Sequence, residues 1–465
     1  MLFSAPMCTI IPPYMLRALA SSGDPHLEGH ARRTLAHDEE LRRERFEGVL
    51  PRPRTRARRA RGAEDQAFRE IHDAEHGADL PGRLVRGEGD PATEDASVTR
   101  AYDGLGATWQ LWFEAFERSS LDDKGLGLVA TVHYRRGYDN AFWNGEQMVF
   151  GDGDGEVFAD FTSSLDVIGH ELAHGVTQYT SGLNYQDESG ALNEHVSDVF
   201  GVLVKQHVLG QNAADADWLV GAELLLPGVK GRGLRDMLHP GTAYDDPRLG
   251  KDPQPATYAD YIQTTADHGG VHLNSGIPNR AFATYALALG GPAWGDAGLV
   301  WHDTITGDIR ADCDFATFAA LTLAAATARF GPESVQVREL AAAWALVEVV
   351  PAAPAPSKAR SRRRSTSPAP RAAAVEVTRS GGFAGQVRTA TAALADLPTK
   401  DRAHWRSLLA DRTLEELAAR APEQPWPDAF VYGVRCAAPS IDVTIPEPGL
   451  TDEVRSLFDR TLEGG

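Results

Sequence analysis

The amino-acid sequence predicts an α+β protein: a β-rich lobe and a helical lobe meeting at a cleft, followed by a small α+β domain. Three observations carry that reading. Strand and helix signals alternate over 66–159, helix signals dominate 163–350, and a stretch rich in proline, alanine, serine and arginine at 351–374 separates both from a tail with signals of its own.

Composition narrows the possibilities before any element is placed. At 465 residues the chain is long for one domain, since domains commonly run about 100–200 residues. The net charge of −19 favours solubility and argues against a nucleic-acid partner. No apolar run reaches the ~20 residues of a membrane span, so no membrane partner is expected. Cys8, Cys313 and Cys436 are odd in number and far apart, which disfavours a disulfide framework and fits a reducing compartment. Residues 1–16 lack a basic start, and Pro12-Pro13 interrupts their apolar run. They do not read as a secretory signal, so the expectation is a protein cytoplasmic as synthesised, with any exit by another route.

In chain order, Pro12-Pro13 stiffens an extended stretch, and Tyr14, Met15 and Leu16 open a short helix with apolar anchors. This reads as a removable segment or as a plain arm packed on the body. At 51–62 the text PRPRTRARRARG holds six arginines and two prolines. It should be solvated, disordered and easily cleaved, and a linker explains it without a nucleic-acid arm. Residues 93–116 read as helix, 128–134 and 147–150 as strands, and GDGDG at 151–155 as a tight turn. Ser163 and Asp166 form an S-x-x-D helix start ahead of Leu165, Val167, Ile168 and Leu172, with Gly182 as the stop. A second helix runs from about 189, with Val196, Val199, Phe200, Leu203 and Val204 at core spacing.

Those two helices carry the chemistry. The first contains His170-Glu171-Leu172-Ala173-His174. Positions i and i+4 share a helix face, so both imidazoles can aim at one point, with Glu171 beside it. Twenty residues past His174 stands Glu194, with Asp198 four further on. Two imidazoles and one carboxylate, leaving a fourth position open, form a catalytic rather than a structural zinc arrangement. Glu194 reads as the third ligand. Asp198 reads as the carboxylate that orients a ligand imidazole. Taken alone, H-E-x-x-H on a helix also fits an ordinary amphipathic element; the downstream N-E-x-x-x-D supplies the ligand that reading leaves unexplained.

With those residues in view, the run 69–350 resembles the thermolysin-like zinc endopeptidases, most closely the protealysin group. The matching text is NAFWNGEQMVFGDGDG at 140–155, the helix pair, and DHGGVHLNSGIPNRA at 267–281. The resemblance implies a zinc-dependent endopeptidase that cuts on the amino side of bulky apolar residues. Glu171 would be the general base, Tyr185 and His272 would donate to the developing oxyanion, and Asp267 would orient His272. Asn140, Ala141 and Arg235 match positions that hold the substrate backbone. Phe158, Phe161, Val167, Leu224 and Leu234 fall where the family lines its apolar pocket; ordinary core residues would look the same. Asp166 and Asp217 match carboxylates of the family's double calcium site, but Lys205, Leu219 and Ala222 stand where further acidic ligands belong, so calcium is expected at a reduced site or not at all. CTIIPPYMLRALA at 8–20 is similar to the short proline-proline propeptide of the group, implying an inhibitory segment. Cys8 could cap the metal as a thiolate or be a buried small apolar residue.

The implied organisation is a propeptide with its cleavable linker at 1–62, the peptidase at 63–350, a linker at 351–374 and a small domain at 375–465. In that domain VEVTR, FVYGVRC and SIDVTI read as strands, 401–420 and 451–462 as helices. RSGGFAG at 379–385 resembles emfourin, a small inhibitor of protealysin-like enzymes. The expected partners are thus a peptide or protein substrate, with the propeptide and the tail as intramolecular inhibitors; a docking or structural tail is the alternative. The competing function is a protease-fold binding protein held inactive by its tail. The intact Glu171 speaks against it.

Overall fold

The computed structural model describes residues 9–46 and 66–352, and in the tail 374–381, 388–393, 430–437, 440–447, 450–463 and isolated positions between 397 and 417. Cys8, the arginine-rich 51–62, most of the 351–374 linker and most of RSGGFAG lie outside them. The chain divides into two compact units, 2–356 and 357–465.

The first unit begins with α1 (Pro13–Leu19) and α2 (Pro25–Phe46). Pro12 caps α1 in extended geometry (φ −64°, ψ 150°), and a ring with fixed φ suits the first helical turn. Ile10, Ile11, Met15, Leu16, Leu19, Leu27 and Ala31 are buried in the same core as the rest of the unit. Polar bonds fix the segment as well. Thr34 Oγ1 accepts from Asp139 N at 3.0 Å, and Asp38 accepts from the Tyr138 hydroxyl at 2.8 Å and Asn140 Nδ2 at 3.0 Å.

A five-stranded sheet follows, built from β1 (Arg69–Asp73), β2 (Arg83–Gly87), β3 (Leu128–Val132), β4 (Ala141–Trp143) and β5 (Met148–Phe150) in the order β2-β1-β3-β5-β4. β1 runs parallel to β3 with Arg69 opposite Leu128, and β3 parallel to β5; both edge strands are antiparallel. Helix α3 (Ala96–Phe116) packs on this sheet. Its N-cap Asp95 accepts from Ser97 N and Val98 N, satisfying two of the amide donors a helix start leaves unpaired.

The helical lobe comprises α4 (Leu165–Tyr179), α5 (Asp187–Leu209), α6 (Asp267–Asn274), α7 (Gly276–Leu289), α8 (Asp296–Thr306), α9 (Phe315–Phe330) and α10 (Val335–Leu346). The S-x-x-D start expected at Ser163 is displaced by one residue. Ser164 is the N-cap, and its hydroxyl donates to Asp166 at 2.6 Å instead of accepting from the backbone. Gly182 lies three residues past the helix end, where φ +59° lets its amide reach the Thr177 carbonyl. Helices α4 and α5 touch backbone to backbone. A Cβ on Gly201 would collide with the Asp166 carbonyl and stand 3.0 Å from His170 N, and one on Gly169 would lie 3.1 Å from Gly201 Cα. This close crossing brings the α5 carboxylates up to the α4 histidines.

The second unit holds an antiparallel sheet in the order Arg388–Ala393, Ala374–Gly381, Phe430–Ala437, Ser440–Pro446, with a helix at Asp452–Glu463. Its core is Val375, Val377, Trp405, Tyr432, Val434, Ile445 and Phe458. Trp405 stacks on Phe458 at 5.2 Å and donates to Thr461 Oγ1 at 3.1 Å.

Candidate active site

Three side chains from two helices converge. His170 Nε2 and His174 Nε2 are 3.1 Å apart, and the Glu194 oxygens lie 3.5 and 3.6 Å from them. His170, His174 and Glu194 form a group of potential metal donors within 4.8 Å, all buried. The far side of each ring is engaged. His170 Nδ1–H donates to Asp198 Oδ1 at 2.8 Å, and His174 Nδ1 meets Asn193 Oδ1 at 2.8 Å and Ser197 Oγ at 3.0 Å. Asn193 offers its oxygen because its amide nitrogen donates to the Leu183 carbonyl at 3.0 Å.

With both Nδ1 atoms protonated by these bonds, both Nε2 atoms are lone-pair acceptors facing each other and a carboxylate. Burial pushes His174 down to about 4, so it stays neutral near pH 7. Burial also pushes Glu194 up, but the positive charge around it, that of His272 first, outweighs burial and holds the carboxyl at about 2. Mutually facing acceptors require a positive charge between them, and the donor set of two imidazoles and one carboxylate fits zinc. Asp198 is held well below the usual carboxylate range: burial raises it, yet Arg235 and His170 prevail. Arg235 binds it through two nitrogens at 2.7 and 2.9 Å, and Asn279 Nδ2 adds a contact at 2.8 Å.

Glu171 lies on the same turn as the imidazoles. Its Oε2 accepts from the Trp143 amide at 2.9 Å, while its buried Oε1 has no hydrogen-bond partner among the described residues. Burial, then the neighbouring Glu194, raises its pKa well above the ordinary value. Across from it, the Tyr185 hydroxyl donates to Glu194 Oε1 at 2.6 Å and stands 3.3 Å from His272 Nε2. His272 Nδ1 and its backbone amide both bond Asp267, at 2.7 and 3.0 Å. Burial lowers the His272 pKa, but Asp267 and Glu194 overcome it and raise the value. Asp267 reaches this pose in left-handed backbone (φ 52°), where Asp is among the tolerated residues.

The residues expected to grip a peptide backbone grip one already. Ile10 N donates to the Ala141 carbonyl at 3.1 Å. Asn140 Oδ1 accepts from Ile11 N at 2.9 Å while its Nδ2 reaches the Ile11 carbonyl at 3.3 Å, and Arg235 Nη1 reaches the Ile10 carbonyl at 3.4 Å. Val167, Leu234, Phe158, Phe161 and Leu224 are buried in the same cluster as Ile10 and Ile11. Elsewhere, Lys205 Nζ lies 2.7 Å from Asp166, 3.2 Å from Asp217 and 3.0 Å from the Leu219 carbonyl. Asn193, Ser197, Asn279 and the Trp143 amide were not foreseen from sequence. The N in N-E-x-x-x-D was the one available hint.

The family model described as thermolysin metallopeptidase, catalytic domain, matches residues 62–178, and its alpha-helical domain matches 181–349. An emfourin model matches 377–462. An extracellular metalloprotease of Pectobacterium carotovorum is 51% identical over 70% of this chain and 92% of its own length. Protease PrtS of Photorhabdus is 54% identical over 56% of this chain and 71% of its own. A thermolysin of Alicyclobacillus acidocaldarius is 37% identical over 60% of this chain, which spans 50% of that protein. Among solved structures, the precursor of protealysin, a metalloproteinase from Serratia proteamaculans, aligns with TM-score 0.67 and 49% identity over 74% of this chain and 100% of its own. Among the described residues no helix is long and apolar enough to cross a membrane. From the converging donor set and these relatives together, the chain belongs to the thermolysin family of metallopeptidases.

Proposed function

We propose that this chain is a zinc endopeptidase silenced by its own residues 9–46, cutting on the amino side of bulky apolar residues and further controlled by its emfourin-like tail. The observation that carries the reading is the unpartnered Glu171 Oε1 beside the buried His170–His174–Glu194 group. His170, His174 and Glu194 would hold zinc, which when bound would supply Lewis-acid chemistry and lower the pKa of water toward neutrality. Glu171 takes the proton of the attacking water and hands it to the leaving amine. Tyr185 and His272 donate to the carbonyl oxygen as its charge develops, with Asp267 fixing the imidazole. Asn140, Ala141 and Arg235 hold the substrate backbone, and Val167 and Leu234 line the apolar pocket.

Latency is supported by the bonds from Ile10 and Ile11 to Asn140, Ala141 and Arg235, which a substrate backbone would need. The tail reading is supported by the emfourin match. Two relatives are named extracellular proteases, which supports action outside the cell here too. At the Asp166–Asp217 position the Lys205 ammonium supplies the positive charge that calcium would bring, so thermal stability should not change when calcium is chelated; a fall of several degrees in Tm would sink that idea.

The central test follows intact mass and peptidase activity of wild type and Glu171→Gln over time. Wild type should shed its N-terminal segment as activity rises, while Glu171→Gln stays whole and at least about 100-fold less active. Activity retained in Glu171→Gln would overturn the reading.

A further inference from the structure

The N-terminal segment and the catalytic body line a second concavity, apart from the His170–His174–Glu194 group. Between α2 and the turn after β3 lies a cavity of about 470 Å³, lined by Arg33, His37 and Glu40 from the segment and by His76, Arg135 and Arg136 from the body. Three guanidinium groups face one carboxylate. The chain as a whole carries a net charge of −19, so acidic partners are plentiful. Yet among the described residues none of these three arginines forms an ion pair with a carboxylate.

Two buried atoms beside the cavity also lack hydrogen-bond partners among the described residues. His37 is only 6% exposed. Its Nε2 bonds the Tyr134 hydroxyl at 3.0 Å, but its Nδ1 makes no hydrogen bond. Glu40 Oε2 stands 3.7 Å from that nitrogen, beyond hydrogen-bond reach. Arg135 lies over the Tyr134 ring at 5.7 Å, with its Nε buried and unbonded. Buried polar atoms are normally satisfied by protein, water or a ligand, and here two of them stand at one arginine-lined cavity. The opposing walls are close. Gly137, which follows Arg136, has φ +66°, and a Cβ there would lie 2.7 Å from Arg33 Nη2.

We propose that this cavity binds a phosphate-type oxyanion, held between Arg33 of the segment and Arg135 and Arg136 of the body, and that the anion ties the segment down. Guanidinium forks match pairs of phosphoryl oxygens, which a single ammonium would not do. The volume has room for more than one phosphoryl group. Glu40 opposes an anion, but the guanidinium groups of Arg33, Arg135 and Arg136 outnumber it, so the lining remains net positive. A ligand that needs both walls binds only the docked arrangement and therefore stabilises it.

The test uses the full chain in phosphate-free buffer, with orthophosphate and pyrophosphate as probes. Calorimetric titration gives binding, and amide hydrogen exchange of 25–46 gives docking. Pyrophosphate also chelates metals, so the reading is the difference between wild type and the double variant Arg33→Gln/Arg136→Gln, which keeps His170, His174 and Glu194. Both arginines are exposed, so the variant should fold; Arg310→Gln, at an exposed arginine paired with Asp312, serves as the surface control. Expected are saturable binding to wild type and to Arg310→Gln, weakened at least about tenfold in the double variant, and slower exchange of 25–46 with ligand in wild type and Arg310→Gln but not in the double variant. Tighter binding of pyrophosphate points to nucleotide- or polyphosphate-like ligands, and equal binding points to free phosphate. Equal affinity in wild type and double variant, no saturable binding at millimolar probe, or unchanged exchange on binding would each overturn the proposal.

Discussion

His133 shows how one residue can couple lobe stability to pH. Its ring bridges Asp152 at 2.7 Å and Asp95, the N-cap of α3, at 2.9 Å. The Asp152 hydrogen bond lifts its pKa, burial opposes, Asp95 adds, and the result is about 9. That lies above the roughly 6.5 of an unfolded chain. The stabilisation is therefore complete below about pH 6.5 and is lost as pH rises through 9. Discounted for partial exposure, it amounts to about 1–2 kcal/mol. Thermal melts should show Tm falling between those pH values in wild type. His133 sits in left-handed backbone (φ 53°), which Asn tolerates; in His133→Asn that slope should flatten, and an unchanged slope would exclude His133 as its source. At this scale the sequence was most legible where spacing alone decides geometry, as for His170, Glu171 and His174 on one helix face. Tyr185, His272 and Asp267 were readable only inside long shared strings. Asn193 was hinted at only by its place beside Glu194 and Ser197 not at all, because which polar side chain meets His174 Nδ1 depends on how α5 crosses α4. Asn140 carried more than sequence suggested: it holds residue 11 and Asp38 together.

The element that organises the lobe is the α4–α5 pair, and its separation is set by two glycines. Gly201→Ala puts a methyl into the Asp166 carbonyl and the His170 backbone. Overpacking of this kind typically costs about 1–3 kcal/mol. We expect lower Tm together with weaker zinc retention on dialysis, since Glu194 and Asp198 ride on the displaced helix; a destabilised variant with unaltered zinc affinity would argue that the crossing does not set the metal geometry. Helices α3, α4 and α5 were legible from their apolar spacing, and 93–116 differs from α3 only where Asp95 caps the start. The sheet was harder. β1 finds β3 in parallel, from 69 to 128, with no hairpin turn to announce the pairing, and β4 spans three residues. Helix α2 was also missed. Its charged run has weak amphipathic periodicity, and its place depends on contacts such as Thr34 with Asp139.

At the scale of the whole molecule, the chain joins a thermolysin-family peptidase to an emfourin-like domain. Deleting 357–465 tests what the fusion does. If the tail restrains the peptidase, the deletion should raise activity in chains that have already lost the N-terminal segment, and adding an intact inactive Glu171→Gln chain in trans should lower it again. No change in either would leave the tail a docking or structural role. The grip on Ile10 and Ile11 has a further consequence on the proposed reading. While the segment is part of the chain, its local concentration is in the millimolar range. Once the chain is cut between segment and body, the same peptide competes only at the concentration of the enzyme itself. A processed but undiluted population would remain largely self-blocked, and activity would appear after a lag set by volume and by destruction of the fragment. Spreading into a larger space would then switch the enzyme on without any further chemical event.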